Sequence, residues 1–166
     1  INAIPATRTI SGRVADASNT NLPLRGILVF LESADGFVAL SFTDTNGNFN
    51  APVTTSSWQV SPDQRDTALH GYVNVQSSIP VDTTTGSVPG VNLLLPKGTA
   101  MIYGSIKDFL GNPLAGLGVY GEDQDTHEYA SDGVSDAAGN YAVAALAGNW
   151  HAELSTDDPR LTNYVF

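Results

Sequence analysis

The chain repeats itself. Ile10-Ser11-Gly12-Arg13-Val14-Ala15-Asp16 returns as Ile102-Tyr103-Gly104-Ser105-Ile106-Lys107-Asp108, an offset of 92 residues from Ile10 to Ile102. Pro23-Leu24-Arg25-Gly26 returns as Pro113-Leu114-Ala115-Gly116 at an offset of 90, so the first copy has two extra residues before its proline. Asp44, Gly47, Asn48 and Phe49 match Asp136, Gly139, Asn140 and Tyr141; Trp58 matches Trp150, and Tyr72-Val73 matches Tyr164-Val165. The offset is then 92 again, which places a compensating insertion within residues 121–133 of the second copy. A repeat that keeps order and spacing along the whole chain constrains it to two copies of one unit.

Each unit reads as β. Ile10, Gly12 and Val14 fall on one face of an alternating strand, as do Ile102, Gly104 and Ile106. Residues 27–31 form a continuous apolar run suited to a central strand, and residues 37–42, 58–60, 72–75 and 91–95 supply others. Turn signals separate them: Ser33-Ala34-Asp35-Gly36, Asp44-Thr45-Asn46-Gly47 and Gly111-Asn112-Pro113. No segment sustains a 3.6-residue period with caps. In the turn at Asp44 the carboxylate can accept the backbone N–H two residues on, and Gly47 can take a positive φ at the exit. Asp136 and Gly139 repeat those two residue types around different central residues, which marks a turn device rather than a ligand site.

The succession I-x-G-x-V-x-D, P-L-x-G, a valine (Val29, Val119), D-x-x-G-x-F/Y and then the tryptophan resembles the carboxypeptidase regulatory-like domain. That domain is a transthyretin-like, prealbumin-type Greek-key β-sandwich, related in architecture to the Cna B-type repeats of bacterial surface proteins. The resemblance covers residues 9–96 and 101–166, and the first copy departs from it at Thr55-Ser56-Ser57, where the second has Ala147-Gly148-Asn149. It implies an all-β chain of two tandem Ig-like sandwiches of about seven strands each. It also implies a non-catalytic accessory role in a larger secreted or cell-surface protein, structural or adhesive, with no ligand specified. The organisation expected is an N-terminal extension over residues 1–8, a first sandwich over 9–96 and a second over 97–166.

That second sandwich reads as incomplete. The first copy continues to Val91-Asn92-Leu93-Leu94-Leu95, whereas the second reaches Phe166 two residues after Tyr164. Val91, Leu93 and Leu95 share one face, and losing three such side chains costs about 5–9 kcal/mol of burial, against about 5–15 kcal/mol for a whole domain. Two explanations stand. The chain, which opens at Ile1, is a processed or excised fragment of a longer one, or another chain supplies the strand, with the extension over residues 1–8 as donor in a filament. Pro5 counts against that donor, because it removes a ladder N–H.

Composition narrows the chemistry. There is no cysteine, so disulfides, thiolate chemistry and cysteine-ligated zinc are excluded. A net charge of −10 opposes nucleic-acid partners and a polybasic membrane anchor, and no apolar run approaches the ~20 residues of a membrane span. Neither a zinc-protease motif nor a nucleophile elbow occurs, so no catalytic residue is assigned and no enzyme activity is expected. His151 and Glu153 share a strand face, where a solvated pair is the simpler reading than a metal. Calcium is the candidate cofactor, since Asp123, Asp125 and Glu128 crowd one connection and offer hard oxygen ligands; solvated acidic loops are the alternative. Tyr103, Tyr120 and Tyr129 are candidates for a carbohydrate-stacking surface, whereas Trp58 and Trp150, at one repeat position, read as core aromatics. The expected partners are other domains of the parent chain or neighbouring subunits, and the expected location is extracellular or the cell surface.

Overall fold

The structure, a computed structural model, describes residues 4–155 and Leu161. Residues 1–3 of the extension and the Tyr164-Val165 repeat match lie outside the described residues. Strands dominate: β1 (Arg8–Asp16), β2 (Leu28–Ser33), β3 (Val38–Phe42), β4 (Asn48–Val53) and β5 (Ser57–Pro62) precede a six-residue helix, α1 (Gln64–Leu69). β6 (Asn74–Val75), β7 (Ile79–Asp82) and β8 (Val88–Leu95) follow, then β9 (Ala100–Ser105), β10 (Gly118–Asp123), β11 (Tyr129–Val134), β12 (Asn140–Ala145) and β13 (Trp150–Leu154). The chain is all-β, and none of its sheets closes into a barrel.

β4-β1-β8 forms one sheet and β3-β2-β5-β7 another. β1 runs antiparallel to β4 and parallel to β8. Their inner faces meet in a core of Ile10, Val14, Ile27, Val29, Leu31, Phe49, Trp58, Val60 and the β8 side chains Val91, Leu93 and Leu95. The period-two alternation behind this is cleanest in β4 and β5, where every second residue is buried. From residue 97 the pairings recur. β12-β9 copies β4-β1, with Gly104 opposite Tyr141 as Gly12 is opposite Phe49. β13-β10-β11 copies β5-β2-β3.

The two halves differ in three ways from what the pattern suggests. Residues 72–75 do not form a full strand of the first half. Tyr72 makes an isolated bridge to Lys97, and only Asn74 and Val75 pair, as β6, with Ala130 and Tyr129 of β11. A strand drawn from the first half thus ends the sheet of the second. α1 carries no readable period because it is a turn and a half long; its signal is local, an Asp63 carboxylate accepting from the Asp66 N–H at 2.9 Å. Trp58 is buried between Ser33 of β2 and Val81 of β7, whereas Trp150, at the same repeat position, is only half-buried. It pairs with Asp123 on one side, and among the described residues no strand flanks β13 on the other.

β8 reaches β1 only because residue 12 is glycine. A Cβ there would lie 1.8 Å from the Val91 carbonyl oxygen and 2.8 Å from the Phe49 ring. At Gly104 the nearest atoms a Cβ would meet are the Tyr141 hydroxyl and ring, at 2.7–2.9 Å, and that side chain can swing aside. Gly12→Ala is therefore expected to cost about 3 kcal/mol or more and Gly104→Ala about 1 kcal/mol or less, as read by chemical denaturation of the two variants.

Candidate functional site

The aspartates that punctuate both copies are committed to backbone amides. Asp44 Oδ1 accepts from the N–H groups of Asn46 and Asn48, both at 2.8 Å, and Asp136 Oδ1 accepts from Ala138 and Asn140 at 2.8 and 2.9 Å. The glycines that follow, Gly47 and Gly139, hold φ at 75° and 78°. Asp16 and Asp108, which end the I-x-G-x-V-x-D motif, act alike. Asp16 accepts from the Ser18 hydroxyl and N–H, the Asn19 N–H and, at 3.1 Å, the buried Tyr72 hydroxyl. Those bonds, the Ser18 hydroxyl first, hold its carboxyl below the usual carboxylate range.

Two of the three calcium candidates, Asp123 and Asp125, likewise accept backbone hydrogen bonds. Asp123 is buried at the end of β10, where its oxygens accept from the Thr126 hydroxyl and from the Asp125 and Thr126 N–H groups, so its pKa is lowered by the Thr126 bond first. Asp125 Oδ2 accepts from the Asn149 N–H at 3.1 Å, and Glu128 is exposed. Among the described residues no group of three or more His, Asp or Glu side chains has a metal-holding arrangement. His151 and Glu153 face each other at 3.5 Å on an exposed strand.

Nor does the structure bring the three tyrosines together. Tyr103 projects from β9 and is 81% exposed. Tyr120 is half-buried opposite Asp132 and Glu153, with its hydroxyl pKa raised by burial first and then by Glu122. Tyr129 stands three positions before Asp132 on β11, so it lies on the opposite face of the sheet from Tyr120.

Two features stand out as sites, and only the first was not legible in sequence. One is the junction of the halves. On β11, Ala130 is fully buried, and Asp132, half-buried, accepts from Gln64 Nε2 of α1 at 3.1 Å. Burial raises the Asp132 pKa, against the pull of Arg65. Beside it, Gln76 N–H donates to the Glu128 carbonyl at 2.8 Å and Gln76 Nε2 to Glu122 at 3.0 Å. The other is the free edge of β9. Where β1 has β8, β9 has no partner beyond β12 among the described residues. A groove of about 330 Å³ opens there, walled by Ile106, Val119, Tyr141, Ala152 and Leu154 and rimmed by Lys107.

No family model matches the chain, and no curated relative matches it. Among solved structures it is similar to the Bacillus anthracis TIE protein, at 12% identity and a TM-score of 0.49 over 89% of this chain and 28% of that one. It is also similar to BcpA, the major pilin subunit of Bacillus cereus, at 18% identity and a TM-score of 0.44 over 57% and 31% of the two chains. With the shaft pilin SpaA from Lactobacillus rhamnosus GG the figures are 11%, 0.41, 92% and 88%. The chain spans less than a third of the length of the first two.

Asp16 and Asp132 are displaced in opposite directions, so their amides should act in opposite directions. A lowered folded-state pKa gives stability that is present above the ordinary carboxylate pKa and lost as pH falls through the lowered value. A raised one makes the charged form a liability at neutral pH, relieved as pH falls. Asp16→Asn should lower Tm at pH 7, whereas Asp132→Asn, which keeps an acceptor for Gln64, should raise it. Both differences should fade below about pH 4 in a pH series of thermal melts.

Proposed function

We propose that the chain is a structural module, without catalysis of its own, of a larger secreted or cell-surface protein. In this reading residues 9–96 and 97–166 are two sandwiches in tandem, and the partners are other domains of the parent chain or neighbouring subunits. The observation that carries it is the junction. β6 leaves the first half to become the edge strand of the sheet β13-β10-β11-β6, and α1 packs on the same β11. Backbone hydrogen bonds from Val73 to Pro96 and from Gly98 to Gly71 tie the connection between the halves at 2.9 and 3.0 Å. Two units that share a sheet resist bending at their joint, and resistance to bending is what a spacer or stalk requires. Helices contribute no membrane anchor among the described residues, since none is long and apolar enough to cross a bilayer.

A second reading, assembly by strand complementation, is favoured by one observation, the free edge of β9 beside a groove whose apolar side chains Ile106 and Leu154 alternate with Lys107 and Glu153. It specifies how a neighbour would attach to such a module.

Scanning calorimetry tests the stiff joint. The intact chain should unfold in one transition, because β6 and α1 of the first half are both held on β11 of the second, and melting of either half removes that packing. Ala130→Lys places an unpaired charge under α1 and should resolve two transitions separated by about 5 °C or more. Two independent transitions in the unmodified chain would refute the rigid-module reading.

A further inference from the structure

We infer that the free edge of β9 is a docking site for an extended strand of the chemistry of β8: uncharged, apolar at alternate positions and parallel to β9. This rests on the structural-module reading and names the partner that its open edge would take.

The repeat sets the register. In the first half Gly12, Val14 and Asp16 stand opposite Val91, Leu93 and Leu95. The offset of 92 carries those three positions to Gly104, Ile106 and Asp108. A strand seated there would place its apolar residues opposite these positions, over the groove walled by Ile106, Val119 and Leu154.

Burial shows what is missing. Ile10 and Val14 are 0% exposed under β8, and Phe49 is buried beside them. Their counterparts Ile102, Ile106 and Tyr141 are only half-buried; Trp150 and Ala152, also half-buried, lack instead the neighbour that β7 gives Trp58 and Val60. By contrast, Val143 of β12 is buried as fully as Ala51 of β4. Along β9 the deficit thus lies where β8 would run.

Two details of the backbone agree. Gly12 leaves room for the β8 carbonyl of Val91, and position 104 is also glycine, although among the described residues no backbone crosses it. The Ala17 N–H donates to the Leu95 carbonyl at 2.9 Å, which fastens the end of β8. Its counterpart in the repeat is Phe109, 94% exposed next to Leu110 at 70%.

Charge selects the occupant. Residues 97–166 hold Lys97, Lys107 and Arg160 against ten acids, a net charge of −7, so a carboxylate-bearing strand is repelled. Val88–Leu95 carries no charge at all. Main-chain bonds to β9 would supply affinity, and the alternate apolar side chains would supply selectivity.

The test uses the full chain and a synthetic peptide with the sequence of residues 87–97. Expected are saturable 1:1 binding by titration calorimetry, a rise in Tm, and about tenfold or slower hydrogen exchange at the amides of residues 100–109 but not of β1. The same peptide with Leu93→Asp and Leu95→Asp should bind at least about tenfold more weakly. Gly104→Ala, which puts a methyl group where the incoming carbonyl must pass, should abolish binding in a chain that still melts cooperatively. Unchanged exchange in β9, protection of β1 instead, or equal binding by Gly104→Ala would each overturn the inference. A chain that sediments alone as a dimer with β9 amides already protected would also overturn it, by assigning the edge to a second copy. Because calorimetric cooperativity is measured without peptide, a failure of binding leaves the rigid-module reading separately decidable.

Discussion

β1 and β8 run parallel with their backbones so close at Gly12 that a single methyl group would collide with the Val91 carbonyl. Parallel neighbours cannot be joined by a tight turn, so β1 must wait for residues nearly eighty positions downstream. Until β8 arrives, β1 pairs only with β4, and the side of the core formed by Ile10 and Val14 faces water. Once it arrives, Val91, Leu93 and Leu95 close that side and the two sheets become a sealed sandwich. The second half stops short of this step among the described residues. Its sheets pair in the same order and register, yet its core stays open along one edge. One structure therefore contains the same architecture with and without its closing strand, and the contrast between Ile10 and Ile102 measures what that strand does.

The junction is coupled to the same closure through Asp16. That aspartate ends β1, where the β1–β8 ladder also ends with Leu95, and it accepts from the Tyr72 hydroxyl. Tyr72 in turn bridges to Lys97 immediately after β8, and two residues later the chain enters β6. Burial and the Asp16 carboxylate together raise the Tyr72 pKa, which keeps the phenol a donor to Asp16. A motif residue that looks like a local turn device is thus also the anchor that directs β6 out of its own half and into the neighbouring sheet. The connection between the halves is thus built from the same packing that closes the first core.

Much of the fold was legible because duplication doubles every signal. The turn aspartates, the paired glycines and the period-two strands each appear twice, so Asp44 could be read against Asp136 without any structure. What escaped was whatever occurs once. α1 spans six residues, too few for a helical period, and its capping aspartate resembles any other turn residue. β6 is two residues long and its partner lies in the other half, a pairing that no local pattern encodes. Equal repeat positions do not give Trp58 and Trp150 equal burial, because burial depends on what lies alongside; Trp58 has β7 beside it and Trp150 has no described strand there. The three tyrosines were grouped by chain proximity, but strand alternation separates Tyr120 from Tyr129 onto opposite faces.

The distribution of acids has a physical origin that the net charge hides. Asp108, Asp123 and Asp136 each accept two or more hydrogen bonds from the turns they begin, and in Asp108 and Asp123 such bonds, from the Asn112 side chain and the Thr126 hydroxyl first, lower the carboxyl pKa. Glu122 is held by Gln76 first and by His127 at 3.3 Å. Asp132, with its raised pKa, faces Gln64 from the first half. These groups are distributed among turn closure and the junction, and none converges with the others on a common point. Three of the ten acids of residues 97–166 thus close turns, and the excess negative charge of the second half is spread over turns, the junction and exposed positions such as Glu153. It acts on partners as a diffuse field, which repels an acidic strand from the open edge of β9 and does not oppose one as neutral as β8.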